Sequence, residues 1–206
     1  MAVSTRSKVY IVDDDEAVRD SLSFQLGIAG YDATTFASGR DFLKAAPGLP
    51  PGCLILDIRM PDIDGLEVQA RLADRKLAFP TVIITGHADV AVAVKAMKAG
   101  AVDFIEKPFS AAEILASIEL ALRCVGAPPG RRPESEVAAS RFKLMSQRER
   151  EVLQGLVKGF PNKTIAYDLG LSARTVEVHR ARVMDKMQAR SLSELVRLAL
   201  AAGIEI

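Results

Sequence analysis

Five residues of this 206-residue chain stand where chemistry is done. Asp13 and Asp14 follow an apolar run at 9–12, and Asp57 ends another at 53–56. Thr85 follows a run at 81–84, and Lys107, before Pro108, follows one at 102–105. Carboxylates gathered within a few ångströms repel one another unless a cation lies among them. Lys107 supplies one positive charge. A hard divalent ion such as Mg2+, bound by a couple of carboxylates, a carbonyl and waters, supplies the rest. An aspartate beside such an ion and a lysine can attack a phosphoryl group, because both cations neutralise the transferring oxygens. The product would add roughly one to two negative charges and three acceptor oxygens at Asp57. Thr85 and Lys107 are placed to bind them. Any one of these acids taken alone reads as readily as a helix cap, which is the plainer role for Asp15, and Phe104 reads first as core. The reading rests on all five falling on the correct strand ends.

The elements that must bring them together are legible as alternating runs. Strands are expected at 9–12, 33–36, 53–56, 81–84 and 102–105, with amphipathic helices at 16–29, 39–46, 65–74, 88–99 and 111–124. Short β-rich runs with no polar alternation suit strands buried on both faces, and the strand–helix order implies a parallel sheet. Residues 1–124 therefore read as a doubly wound α/β domain with a five-stranded parallel sheet. In such a sheet the strand ends named above share one edge, which is where these folds bind ligands.

Residues 125–140, with Ala127-Pro128-Pro129-Gly130-Arg131-Arg132-Pro133, read as an interdomain linker that has little to bury. Residues 141–206 hold four short helical patterns. Ser146-Gln147-Arg148-Glu149 is a capping box for a helix to about Lys158, and Gly159-Phe160-Pro161 ends it. Asn162 is expected to cap a second helix to Leu169, and Ser172, after Gly170-Leu171, a third to about Met187. Ser191-Leu192-Ser193-Glu194 reads as a second capping box. Helix, glycine-containing turn and helix in a small all-α four-helix domain outline a helix-turn-helix.

The charge is divided accordingly. Residues 1–124 carry 13 Lys and Arg against 17 Asp and Glu, a net of −4, whereas 125–206 carry 14 against 9, a net of +5. A basic second half suits nucleic acid. On its third helix Arg174, Thr175, Glu177, Val178, Arg180, Arg182 and Lys186 mix short and long donors with an apolar tip, as a major groove requires. Lys163 would grip backbone phosphate from the helix before it. The plainer reading of such residues is a solvated charged face. Apolar residues at 49% and charged residues at 26% describe a globular chain. No apolar run is long enough for a membrane helix, no signal-peptide pattern opens the chain, and Cys53 and Cys124 lack metal spacing. A cytoplasmic, non-enzymatic protein is expected.

Ile11-Val12-Asp13-Asp14-Asp15, Leu56-Asp57-Ile58-Arg59-Met60-Pro61-Asp62-Ile63-Asp64-Gly65, Ile84-Thr85-Gly86-His87 and Phe104-Ile105-Glu106-Lys107-Pro108-Phe109 resemble the receiver domain of two-component response regulators. Leu144–Leu153, Asn162–Ala166 and Ser172–Arg180 resemble the LuxR-type DNA-binding domain. The first resemblance implies a flavodoxin-like fold with Asp57 as phosphoacceptor. Asp13, Asp14, Asp57 and the carbonyl of Arg59 become Mg2+ ligands, Thr85 and Phe104 a switch pair, and Lys107 a phosphate-binding lysine with a cis bond to Pro108. The second implies that the third helix reads DNA, that Val176 is buried, that His179 packs or touches phosphate, and that the last helix dimerises. Gly159-Phe160-Pro161 departs from the polar residues many relatives carry there. The two halves together, with the Ile84–Phe109 stretch, resemble the nitrogen-fixation branch more closely than the generic family. That branch implies a haem-based oxygen-sensing histidine kinase as donor, promoter DNA and RNA polymerase as partners, and nitrogen-fixation or microaerobic respiration genes as targets. Phosphorylation is expected to create a dimer through a surface that includes Val92, Lys95, Ala96, Lys98 and Glu113. A constitutive DNA-binding regulator with a merely structural pocket, an Asp- and Mg2+-dependent hydrolase, and a protein-interaction relay are the competing readings. Against the hydrolase, this chain lacks a cap domain to enclose a substrate.

Overall fold

The computed structural model describes residues 6–86, 90–125 and 135–204. His87, the expected start of a helix at 88 and most of the expected linker lie outside the described residues. By contact the described residues form two compact units, one of 6–86 and 99–125, the other of 90–98 and 135–204.

The first unit is built on five parallel strands, β1 (Lys8–Val12), β2 (Asp32–Phe36), β3 (Cys53–Asp57), β4 (Thr81–Thr85) and β5 (Asp103–Glu106), in the order β2-β1-β3-β4-β5. Helices α1 (Glu16–Ile28), α2 (Gly39–Ala45) and α3 (Gly65–Asp74) connect the early strands. In the chain α4 (Val90–Lys98) follows β4 and α5 (Ala111–Arg123) follows β5. β3 and β4 are buried along their whole length, as their unbroken apolar runs require. One sheet face, with Val9, Ile11, Cys53, Ile55, Val82 and Ile84, is covered by Leu22 and Leu26 of α1 and by Ile114, Ile118 and Ala121 of α5. Tyr10 on the opposite face meets Phe42 and Phe79, and its hydroxyl donates to the Pro50 carbonyl at 2.7 Å. Burial pushes the Cys53 thiol up to about 12, so it is an inert core group.

The strand order reverses between β1 and β3, which opens a crevice at their C-terminal ends. Two features fix that edge. Asp15 caps α1 by accepting from the Ala17 N–H at 2.9 Å. Gly65 opens α3 against the end of β3, where a Cβ would stand 2.4 Å from the Asp57 carbonyl oxygen. Only glycine permits that approach.

The second unit contains α6 (Ser135–Lys143), α7 (Gln147–Val157), α8 (Asn162–Leu169), α9 (Ala173–Met187) and α10 (Leu192–Ala201). α6 is an element that composition did not suggest; it occupies the C-terminal part of the stretch read as linker to residue 140. Ser146 and Glu149 form the expected capping box of α7. α8 departs from expectation, because Pro161 is its N-cap and Asn162 its first helical residue, with no side-chain cap bond. α10 carries half of the expected box. Ser191 caps it, but the Glu194 carboxylate accepts from the Arg190 N–H at 2.8 Å, so it reaches past its own cap residue. Gly170 ends α8 with φ of 65°, the left-handed turn that glycine adopts freely, and Ser172 caps α9 two residues later.

Candidate functional site

The strand ends of the first unit do converge. Carboxylate oxygens of Asp13, Asp14 and Asp57 lie within 4.8 Å of one another. The Lys107 ammonium donates to Asp13 Oδ2 at 2.6 Å and stands 3.0 Å from Asp57 Oδ1. Asp13 and Asp57 are 1% and 4% exposed, while Asp14 is open to solvent. Backbone bonds set the frame. The Lys107 N–H donates to the Thr85 carbonyl at 2.7 Å, and the Ile58 N–H to the Ile84 carbonyl at 3.2 Å. Thr85 is buried at the end of β4, and Phe104 is half-buried on β5. The Lys107–Pro108 peptide is cis, as the resemblance implied.

Burial pushes the Asp57 carboxyl above its usual range, and the Asp13 charge adds to that, while Lys107 and the Arg59 backbone N–H oppose it. Burial works against the charge of Lys107, but its bonds to Asp13 and Asp57 prevail and hold its pKa above the usual lysine value. Three carboxylates and one ammonium leave a formal charge of −2. The donors are all oxygen, the charge matches a divalent cation, and one acid remains exposed at the mouth. That combination suits Mg2+, a hard cation that takes oxygen ligands and keeps several waters.

Arg19 was not anticipated at this site. Its Nη1 donates to the carbonyls of Asp13 and Asp14 at 2.8 and 2.9 Å, holding the loop that presents both acids. Nothing in its spacing marks it. Gly65 was legible in principle, because a glycine directly after Asp64 signals a constrained turn.

In the second unit α9 presents one face outward. Arg174, Glu177, Val178 and Arg182 are exposed, with Ala181 and Asp185 on the same side, and Val178 is 47% exposed. Thr175 and Arg180 flank that face half-buried, and the Thr175 hydroxyl is 2.8 Å from that of Ser172. Val176, Val183 and Met187 are buried on the opposite side. Lys163 is exposed in the first turn of α8. His179 is half-buried. Lys186, expected among the DNA contacts, has another partner: its ammonium donates to Glu149 Oε2 at 2.7 Å and to the Leu144 carbonyl at 3.2 Å. It ties α9 to α7. Val92, Lys95, Ala96 and Lys98 lie on α4, whereas the Glu113 carboxylate closes the Ser110 capping box of α5.

An acidic pocket at the C-terminal edge of a five-stranded parallel sheet, joined in one chain to a helix-turn-helix, defines a signal receiver coupled to a DNA-binding output. Residues 9–119 match the response regulator receiver domain, and residues 143–199 match the luxR family of bacterial regulatory proteins. The chain is 49% identical over 204 residues to the transcriptional regulatory protein FixJ of Bradyrhizobium diazoefficiens, covering 98% of each. It is 50% identical over 195 residues to FixJ of Rhizobium meliloti, covering 95% of this chain and 96% of the relative. The crystal structure of full-length FixJ from B. japonicum is similar with a TM-score of 0.58 at 48% identity, over 98% of this chain and 100% of that one. The chain belongs to the two-component response regulators that join a receiver to a LuxR-type DNA-binding domain. It is a phosphorylation-activated transcription regulator and not an enzyme. Among the described residues no helix is long and apolar enough to cross a membrane.

Proposed function

We propose that Asp57 takes a phosphoryl group from a sensor histidine kinase, and that the modified chain dimerises and binds promoter DNA through α9. The observation that carries this reading is Lys107 set between Asp13 and Asp57 above a cluster of three carboxylates. Asp13, Asp14, Asp57 and the backbone carbonyl of Arg59 would hold Mg2+, which when bound neutralises the transferring oxygens. An oxygen of Asp57 forms the new bond to phosphorus as the bond to the donor histidine nitrogen breaks, and that nitrogen keeps the electron pair. Lys107 and the Thr85 hydroxyl bind the phosphoryl oxygens, and Phe104 fills the space that Thr85 leaves. Arg174, Glu177, Val178 and Arg182 face the major groove, flanked by Thr175 and Arg180, with Lys163 on a backbone phosphate. Lys186 stays outside this set, because Glu149 holds it.

The names of the most similar relatives support a finer reading. The donor is an oxygen-sensing, FixL-like kinase, and the phosphorylated dimer engages RNA polymerase in the cytoplasm at nitrogen-fixation or microaerobic respiration genes.

Native mass spectrometry with and without acetyl phosphate and Mg2+ tests the core of the proposal. The expected result is one added phosphoryl group and a shift to dimer, both lost in Asp57→Asn. Phosphorylation without dimerisation would transfer the output to release of the DNA-binding unit. Failure to take phosphate from acetyl phosphate or from a cognate kinase, with DNA binding unchanged, would establish a constitutive DNA-binding regulator instead.

A further inference from the structure

The helix read as DNA-contacting is held at its C-terminal end by a residue of α6. Arg141 of α6 donates from Nη1 to the Met187 carbonyl at 2.9 Å and from Nη2 to the side-chain oxygen of Gln188. Gln188 is the C-cap of α9 and has φ of 54°, a left-handed conformation that costs a side-chain-bearing residue what it does not cost glycine. Glycine is the usual residue at such a helix end. Here a glutamine stands in its place, and a guanidinium bonds both its side chain and the carbonyl before it. The same cation sits where the carbonyl end of the helix dipole favours positive charge.

The neighbouring contacts anchor α6 itself. Lys186 donates to the Leu144 carbonyl just beyond α6 at 3.2 Å. Arg150 of α7 donates to the Lys143 carbonyl at 3.0 Å and lies 5.2 Å from the centre of the Phe142 ring. The luxR-family match covers residues 143–199, so Arg141 lies just before the matched stretch while its two partners lie within it. In the chain, α6 directly follows the interdomain segment.

We propose that α6 is a clamp on the recognition helix: Arg141 fixes the left-handed end of α9, and the accuracy with which α9 meets its operator depends on that hold. Arg141 is thus a positioning residue for DNA reading. This rests on the reading of α9 as the DNA-contacting helix.

The test uses the full-length chain and two probes, a duplex enriched by the wild-type protein from a random pool and an unselected duplex of equal length. Arg141→Ala is expected to speed amide hydrogen exchange at residues 185–189 and to weaken binding to the enriched duplex about tenfold or more, with affinity for the unselected duplex and its salt dependence unchanged. The double variant Arg141→Ala with Gln188→Gly is expected to regain both, because glycine holds the left-handed turn without the clamp. Loss of binding to both probes with a shallower salt slope would make Arg141 a phosphate contact and overturn the proposal. Faster exchange with unchanged DNA binding, or no rescue by glycine, would also overturn it. The underlying reading is checked separately by Arg182→Ala: if that variant keeps its selective binding, α9 is not the reading helix, and the role of the clamp in recognition falls with it.

Discussion

Lys107 and Lys186 do similar work in the two halves of the chain, each holding a carboxylate that burial would otherwise disfavour. At Lys107 one ammonium serves Asp13 and Asp57 together, so both acids stay close despite their mutual repulsion and within reach of a second cation. At Lys186 the partner is Glu149, which is 3% exposed and also accepts from the Ser146 N–H at 2.7 Å. The Lys186 bond, aided by the Ser146 donors, holds the Glu149 carboxyl down at about 2, against 4.5 for an ordinary glutamate. A carboxyl depressed on folding stabilises the native state above its unfolded value, and that contribution is lost as pH falls through the folded one. The acid loss of the DNA-binding unit should therefore set in below about pH 4.5 and be complete near pH 2. Glu149→Gln should destabilise that unit by about 1–3 kcal/mol at neutral pH and flatten its pH dependence in this window. Hydrogen exchange of the α7 and α9 amides as a function of pH reads both effects.

Among the α-helix starts whose caps the structure describes, one chemical rule holds with one exception. Asp15, Ser38, Asp64, Ser110, Ser146, Ser172 and Ser191 each place a side-chain oxygen on an early helical N–H, while α8 begins behind Pro161 without such a bond. The start of α3 is the most constrained, because the Gly65 N–H donates to the Ile58 carbonyl at 2.9 Å while its α-carbon abuts Asp57. Gly65→Ala drives a methyl group into backbone that has nowhere to move. It should cost about 1–3 kcal/mol, measured by denaturant unfolding, and slow phosphorylation by acetyl phosphate because Asp57 shifts with the strand end. The pocket was legible in sequence because every one of its residues follows an apolar run whose length and composition already declare a buried parallel strand. The five strands and the helices after them fall within one or two residues of expectation for the same reason, apart from the expected start of the fourth helix, which lies outside the described residues. Arg19 and Arg141 were not legible. Both act through backbone carbonyls of residues distant in sequence or beyond a turn, and a carbonyl leaves no mark on residue type. α6 was hidden because its polar, alanine-rich sequence follows a proline-rich stretch and carries little apolar periodicity. The partner of Lys186 was not legible either, because a lysine on a basic helix does not reveal that a buried glutamate awaits it from another helix.

At the scale of the whole chain, opposite charge balances sit on either side of residue 124. On the proposed reading the acidic half would gain further negative charge on phosphorylation, and the basic half suits a polyanion. DNA affinity should fall steeply with salt, and Lys163→Ala should reduce the slope of log K against log salt by about one while leaving sequence preference intact. Fluorescence anisotropy of a labelled duplex across a salt series measures it. A change of preference would move Lys163 from phosphate to base contact. The strand order has its own consequence. Asp57, the proposed acceptor, ends β3 at the centre of the sheet, while its lysine partner stands just past β5, an edge strand, with β4 between them. A group bonded to Asp57 must draw that ammonium away from its bridge between two acids, and the backbone of Lys107 is hydrogen-bonded to Thr85 on the strand between. Modification of the innermost strand would thus be relayed sideways to the rim of the sheet, and a partner would sense the buried aspartate's state by feeling the margin shift.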